Sequence, residues 1–364
     1  MKPALLRACA LAWLAAACGG GAKEAAVPAL APANPAAVSK LAQGVDAAKS
    51  KDGKKHAIDL LQKAVDADGQ LWEGRYNLGV LLAESGDLAL AEKQLAEAHK
   101  LAPNAEDVVV ALGEVRRRLG DFDGAADVLD AFVKANPQST LARTALVTSL
   151  REAGEIDKAI GEAQAALIRN ASDPYALSEL ALAQLERGEL DTAELLSKEA
   201  LKATPPRAVA ERTAGLIALK RGDDAVAFRH FQRAGELDPE DTTARINIGV
   251  VLLRAGVYDR ASTELRAVVE ADPEDTDAAV ALAAALRGKA KRDSSGFSES
   301  ERLLRGVLER EPKNLSALFN LAVLYADYMK RPTEAEPLFK RFLSVAPDKH
   351  PARAEAERFL SAKK

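Results

Sequence analysis

The residues able to do chemistry are few and scattered. Two cysteines, Cys9 and Cys18, and four histidines, His56, His99, His230 and His350, stand among 364 residues. No metal spacing joins them, and a zinc or iron centre needs several donors converging on one point. No H-E-x-x-H helix, G-x-x-x-x-G-K-[ST] phosphate loop or G-x-S-x-G nucleophile turn occurs. Paired carboxylates such as Glu240-Asp241 precede helical patterns, where acidic side chains favour the amino-terminal end, so they read as caps. The run Arg116-Arg117-Arg118 fits a solvated helix end beside Gly120, or a hold on an acidic partner. The stretch Arg287–Ser295, with Lys289, Lys291 and Arg292, reads as a surface insertion. No cofactor, metal or small-molecule substrate is expected, and the chain reads as no enzyme.

Cys18 is the one residue whose surroundings imply a reaction. Lys2 and Arg7 form a basic start, and Ala8–Ala17, with Leu11, Trp13 and Leu14, is small and apolar. That run is too short for a spanning helix of about 20 residues, and suits a signal peptide. Leu14-Ala15-Ala16-Ala17 lead to Cys18, followed by Gly19-Gly20-Gly21. Small residues before a cysteine resemble the bacterial lipobox, although Leu14 stands one place upstream of the commonest pattern. A plain secretory signal with an incidental cysteine is the alternative. The resemblance implies removal of residues 1–17 and a diacylglycerol on the Cys18 thiol. No free thiol would remain for catalysis or a disulfide. Each buried methylene contributes about 0.8 kcal/mol to holding the chain on a membrane without spanning it. Gly19 and Gly20 stand where an inner-membrane retention signal would place Asp. In a cell with two membranes the outer one is therefore implied, with the body facing the periplasm. Residues 18–37, with Pro28, Pro32 and Pro35 among alanines, read as a flexible tether.

Composition sets the class of the remainder. Hydrophobic residues make up 48% and aromatics only 4%, much of the apolar content being the helix formers Ala and Leu. A β-sandwich or barrel is excluded by the scarcity of strand formers. Fifty basic residues against 54 acidic ones give a net charge of −4 without a long single-sign block, which argues against nucleic acid. A period of 34 residues organises the chain: Gly at 86, 120, 154, 188, 222 and 256, Ala at 57, 91, 125, 159, 193, 227 and 261, and Pro at 103, 137, 205, 239 and 273. In residues 72–105 the spacing predicts a helix from Trp72 to Ser85, a left-handed stop at Gly86, and a second helix from Leu88 ended by Pro103. Small Gly79 and Ala91 let the two helices approach. Such a hairpin cannot bury its own apolar stripe, so it must stack on neighbours.

These residues resemble the tetratricopeptide repeat (TPR) family, over about Val38–Asp348. The resemblance implies an all-α, right-handed α-solenoid of nine helix-turn-helix units spanning 38–349, with a capping helix and tail at 350–364. Leu112, Gly113, Phe122 and Ala125 carry the signature in one unit, and Ile248, Gly249, Tyr258 and Ala261 in another. The first unit departs from it, with Gly44 and Val45 where a large–small pair is expected. The eighth has about five extra residues and Ser300 where Ala is usual, and the ninth one extra residue near Arg331-Pro332.

In this family the first helix of each pair lines a concave groove. By resemblance its floor here includes Tyr175, Leu182, Leu185, Val209, Leu216, Leu219, Ile246, Val250 and Leu253. Its rim carries Arg117, Arg118, Arg151, Arg212, Lys220, Arg254 and Arg287, with Glu84, Glu152 and Glu186 opposing them. The Asn with which carboxylate-clamp relatives grip a chain terminus is absent. A mostly apolar floor suits a helix or extended peptide; the same leucines could instead be core. The expected function is a membrane-anchored scaffold holding protein segments of an envelope complex, as similar lipoproteins do in pilus and secretin assembly or gliding motility. A lipoprotein regulator of a peptidoglycan synthase is the alternative.

Overall fold

The computed structural model describes residues 33–50, 53–239, 241–290, 295–348 and 350–361. Residues 1–17, read as a signal, Cys18, and the stretch read as a tether as far as residue 32 lie outside the described residues, as do Glu240, Lys291 and Arg292. Among the described residues the fold is all-helical, with nineteen α-helices and no strand, and within each unit successive helices pair as hairpins. The chain forms two compact units, one ending at Ala200 and one beginning at Leu201.

The first unit holds five hairpins: α1 (Pro35–Ala47) with α2 (Lys54–Ala67), α3 (Trp72–Glu84) with α4 (Leu88–Leu101), α5 (Glu106–Arg118) with α6 (Phe122–Ala135), α7 (Thr140–Glu152) with α8 (Ile156–Arg169), and α9 (Pro174–Glu186) with α10 (Leu190–Ala200). The second holds α11 (Ala208–Arg221) with α12 (Asp224–Leu237), α13 (Thr242–Arg254) with α14 (Tyr258–Ala271), α15 (Thr276–Lys289) with α16 (Ser295–Arg310), α17 (Leu315–Val323) with α18 (Pro332–Val345), and the closing α19 (Arg353–Ser361).

The 34-residue lattice is the lattice of turns and close approaches. Gly86 sits at φ 87° and lets Asp87 N donate to Leu82 O, so α3 stops and α4 starts within three residues. Gly249 packs so tightly on α14 that a Cβ there would stand 2.5 Å from Leu265. The irregular units solve the same problem otherwise. In the first, Gly44 itself faces Leu61, a Cβ there meeting it at 2.8 Å, so the small partner sits one place earlier than in other hairpins. In the eighth, the buried Ser300 hydroxyl donates to Ala283 O at 2.8 Å, satisfying the polar atom that Ala lacks. In the ninth, the extra residue is absorbed as a π-helical turn, Leu324–Tyr328, ahead of the position the sequence suggested.

The tether boundary also moves. Pro35, read as tether, is the first residue of α1, a place where the missing N–H loses nothing. Asn34 caps the helix by accepting from Ala36 N, and its own N–H donates to Asp68 one repeat on.

Candidate functional site

In the first unit, the carboxyl-terminal ends of successive first helices are tied by ions. Arg117 of α5 donates to Glu114 on its own helix at 2.9 Å and to Glu152 of α7 at 2.7 Å. Arg151 of α7 meets Glu186 of α9 at 2.5 Å and Glu179 of α9 at 3.4 Å. Arg118 donates back to the Ala83 carbonyl at 2.9 Å, an acceptor in the last turn of α3 that Gly86 N also reaches. Burial opposes the charge on Arg117, but the bonds and field of Glu114 and Glu152 outweigh it and raise its pKa above the ordinary guanidinium value. Arg151 is raised too, burial being overcome by Glu179, Glu186 and Glu152.

In the second unit the corresponding places are Leu219, Leu253 and Arg287, and on α9 of the first it is Leu185. Leu219 of α11 and Leu253 of α13 are half-buried and lean on core clusters, as do Leu216 and Ile246. Val250 is half-buried and Val209 likewise, and neither joins a core cluster among the described residues. Arg212 pairs with Asp241, the cap of α13. Arg254 bonds Asp224 of α12 at 3.0 Å, while Lys220 makes no ion pair among the described residues. Arg287 of α15 donates only to neutral groups, the Asn320 side-chain oxygen at 3.0 Å and its carbonyl at 3.5 Å, and lies 5.4 Å from the Tyr328 ring, while Asp327 and Glu355 act on it through their charge. Burial lowers its pKa.

The structure thus brings Leu216, Leu219, Ile246, Val250 and Leu253 onto first helices of the second unit, and Tyr175, Leu182 and Leu185 onto α9 of the first. Tyr175 is 44% exposed, and the other seven, like Val209 of α11, are half-buried. Sequence reasoning missed Glu179, a buried carboxylate that completes the Arg151 cluster. It also missed that Arg117 and Arg151 repeat one 35-residue bond to Glu152 and Glu186, a signal present in the spacing. Asn77 and Asn320 each donate to the carbonyl four residues earlier, Glu73 and Ser316, a local helical bond. Arg287 and Lys289, read as part of a surface insertion, instead belong to the last turn of α15, and Lys289 binds Asp259 at 3.1 Å. Among the described residues, no three or more His, Cys, Asp or Glu are grouped to hold a metal, and no helix is long and apolar enough to cross a membrane.

Two family profiles, each described as tetratricopeptide repeat, match the chain. One covers residues 41–106, 144–208 and 285–354, and the other 82–149 and 216–286. The fold is similar to a chain of the APC/C hetero-tetramer Cut9–Hcn1, with a TM-score of 0.59 and 14% identity over 89% of this chain and 63% of that one. The chain therefore spans less than two thirds of that neighbour. Matches of lower score are YrrB, a TPR protein with an unusual peptide-binding site (TM-score 0.36, 22% identity, 53% of this chain and 97% of that one), and TTC0263, a thermophilic TPR protein of Thermus thermophilus (0.44, 21%, 50% and 99%). No curated protein matches.

Proposed function

The chain belongs to the tetratricopeptide-repeat family, and from that premise we propose that it is a non-catalytic scaffold holding a protein segment on its first-helix faces. The observation that carries the reading is the set of half-buried apolar side chains on those helices, such as Leu182 and Val250, that join no core cluster among the described residues. Apolar side chains left partly in water on a helix face mark an interaction site. We further propose that Cys18 carries a lipid and that the scaffold serves a bacterial envelope machine of the pilus, secretin or motility type, from the outer membrane. The small-residue run into Cys18 supports this part.

Two experiments test the two parts separately. A photo-crosslinking residue at Leu182 or Val250 of the full chain, in its native cells, should capture one discrete partner. Leu182→Asp with Val250→Asp should remove it while helical circular dichroism persists. Capture of equal yield from Ile168, on a second helix and 86% exposed, would defeat the groove reading. Labelled palmitate should enter the wild-type chain and not Cys18→Ser; label in both would defeat the anchor.

A further inference from the structure

The second helices of the hairpins are not all held equally. α10 has 11 residues and, among the described residues, buries only Ala193, Ser197 and Ala200. Every other second helix has 14 residues or more. Each of them also buries at least one Leu, Ile, Val or Phe, such as Leu95 of α4, Ile160 of α8 or Phe231 of α12. Burial of apolar side chains is what docks a helix on its neighbour, and methyl-sized groups supply little of it. The repeat lattice carries the same deficit. Gly249 is filled against by Leu265 and Gly215 by Phe231, whereas the corresponding places in α9 and α10 hold Ala181 and Ser197. Pro205 and Pro206 then deny α10 the extra turn its counterparts have, since proline offers no N–H and biases Thr204 away from helix.

Unmade hydrogen bonds add to the weakness. The hydroxyls of Ser178 on α9 and Ser197 on α10 are buried, 0% and 2% exposed, and have no partner among the described residues. The Gln184 side-chain oxygen on α9 is buried in the same way. Burial alone does not force this, because the hydroxyl of Ser149 on α7, 1% exposed, donates to Ala145 O at 3.0 Å. A buried polar atom without a bond has lost its water for nothing, and opening the helix returns it. α9 itself is tied to α7 by Arg151 through Glu179 and Glu186. The Lys198–Glu194 pair lies within α10 and does not fasten it to α9.

We propose that α10 is a conformational device of the first unit, a helix that lifts from α9 while the hairpins before it stay folded. Lifting hydrates the Ser197 hydroxyl and uncovers Ala181, and it gives the unit a second state whose population a binding event can shift. The inference stands apart from the scaffold reading.

Hydrogen exchange of the full chain, read by mass spectrometry, tests it. Amides of α10 should exchange at least about tenfold faster than those of α4, α6 and α8. Ser197→Ala and Ser178→Ala each remove an unbonded hydroxyl and should slow exchange in α10 several-fold. Ser149→Ala removes a bonded one and should leave α10 unchanged. Protection of α10 equal to that of α8 overturns the inference. Exchange of α10 in step with α3–α8 overturns it as well, because the unit would then open as a whole. Fast exchange in α10 that neither serine variant slows would show that the buried hydroxyls do not set the opening, and the device as described would fail.

Discussion

At the scale of single residues, the hairpins are matched in size rather than fixed in type. Gly215 faces Phe231 so closely that a Cβ would stand 2.5 Å from the ring, and Gly113 faces Leu129 at 2.7 Å. In α7–α8 the sizes are exchanged, with Val147 and Ala163 sharing one cluster. Gly215→Ala should therefore lower stability by about 1–3 kcal/mol in urea unfolding. Adding Phe231→Leu should recover part of that loss, so the double variant falls short of the summed single effects. His99 of α4 shows a different constraint. Burial, then the nearby Arg116 charge, hold its pKa below the ordinary histidine value, and its Nδ1 has no partner. As pH falls through the histidine range the unfolded chain takes up the proton first, so stability present above that range is lost. Between about pH 8 and 5.5, the wild-type urea midpoint should fall more than that of His99→Gln. Parallel falls would show that His99 titrates alike in both states.

At the scale of elements, charge joins one first helix to the next where apolar contact does not. Arg151 answers Glu152, Glu179 and Glu186, and its side chain is 14% exposed. Arg151→Gln should leave three carboxylates crowded across α7 and α9 and cost about 2–3 kcal/mol, less than a fully dry pair because water reaches Glu186. Adding Glu186→Gln, which removes one of the crowded charges, should restore part of it; no recovery would make the loss one of packing alone. How much of this was legible follows from the residues. Gly86 and Gly120 declared the turns, because a left-handed backbone selects Gly. The Arg117–Glu152 tie was readable from its spacing, whereas Glu179 was not, since burial of a carboxylate depends on a helix from another repeat. The π-helical turn was signalled only as a surplus residue. Which turn absorbs such a surplus depends on the packing of Tyr325, whose hydroxyl bonds Glu301 and Arg305 of α16.

At the scale of the molecule, stability within each unit is a sum over neighbours, since each hairpin packs on those beside it in sequence. Phe231→Asp would bury a charge between α11 and α12. Hydrogen exchange should then accelerate across α11–α14 while α3–α8 keep their protection. Loss of protection in α3–α8 would show that the chain unfolds as one cooperative body. The sequence by itself determined the helical class, the repeat length and the turn positions. These are local matters, set by residues such as Gly154 and Ala159 whose steric demands recur within one unit of chain. Tertiary structure alone decided which charges bond one another, closing Arg117 and Arg151 onto neighbouring carboxylates and leaving Arg287 to donate to Asn320. What a charge bonds depends on what the next helix places within hydrogen-bonding distance, and that is a matter of packing between repeats rather than of spacing within one.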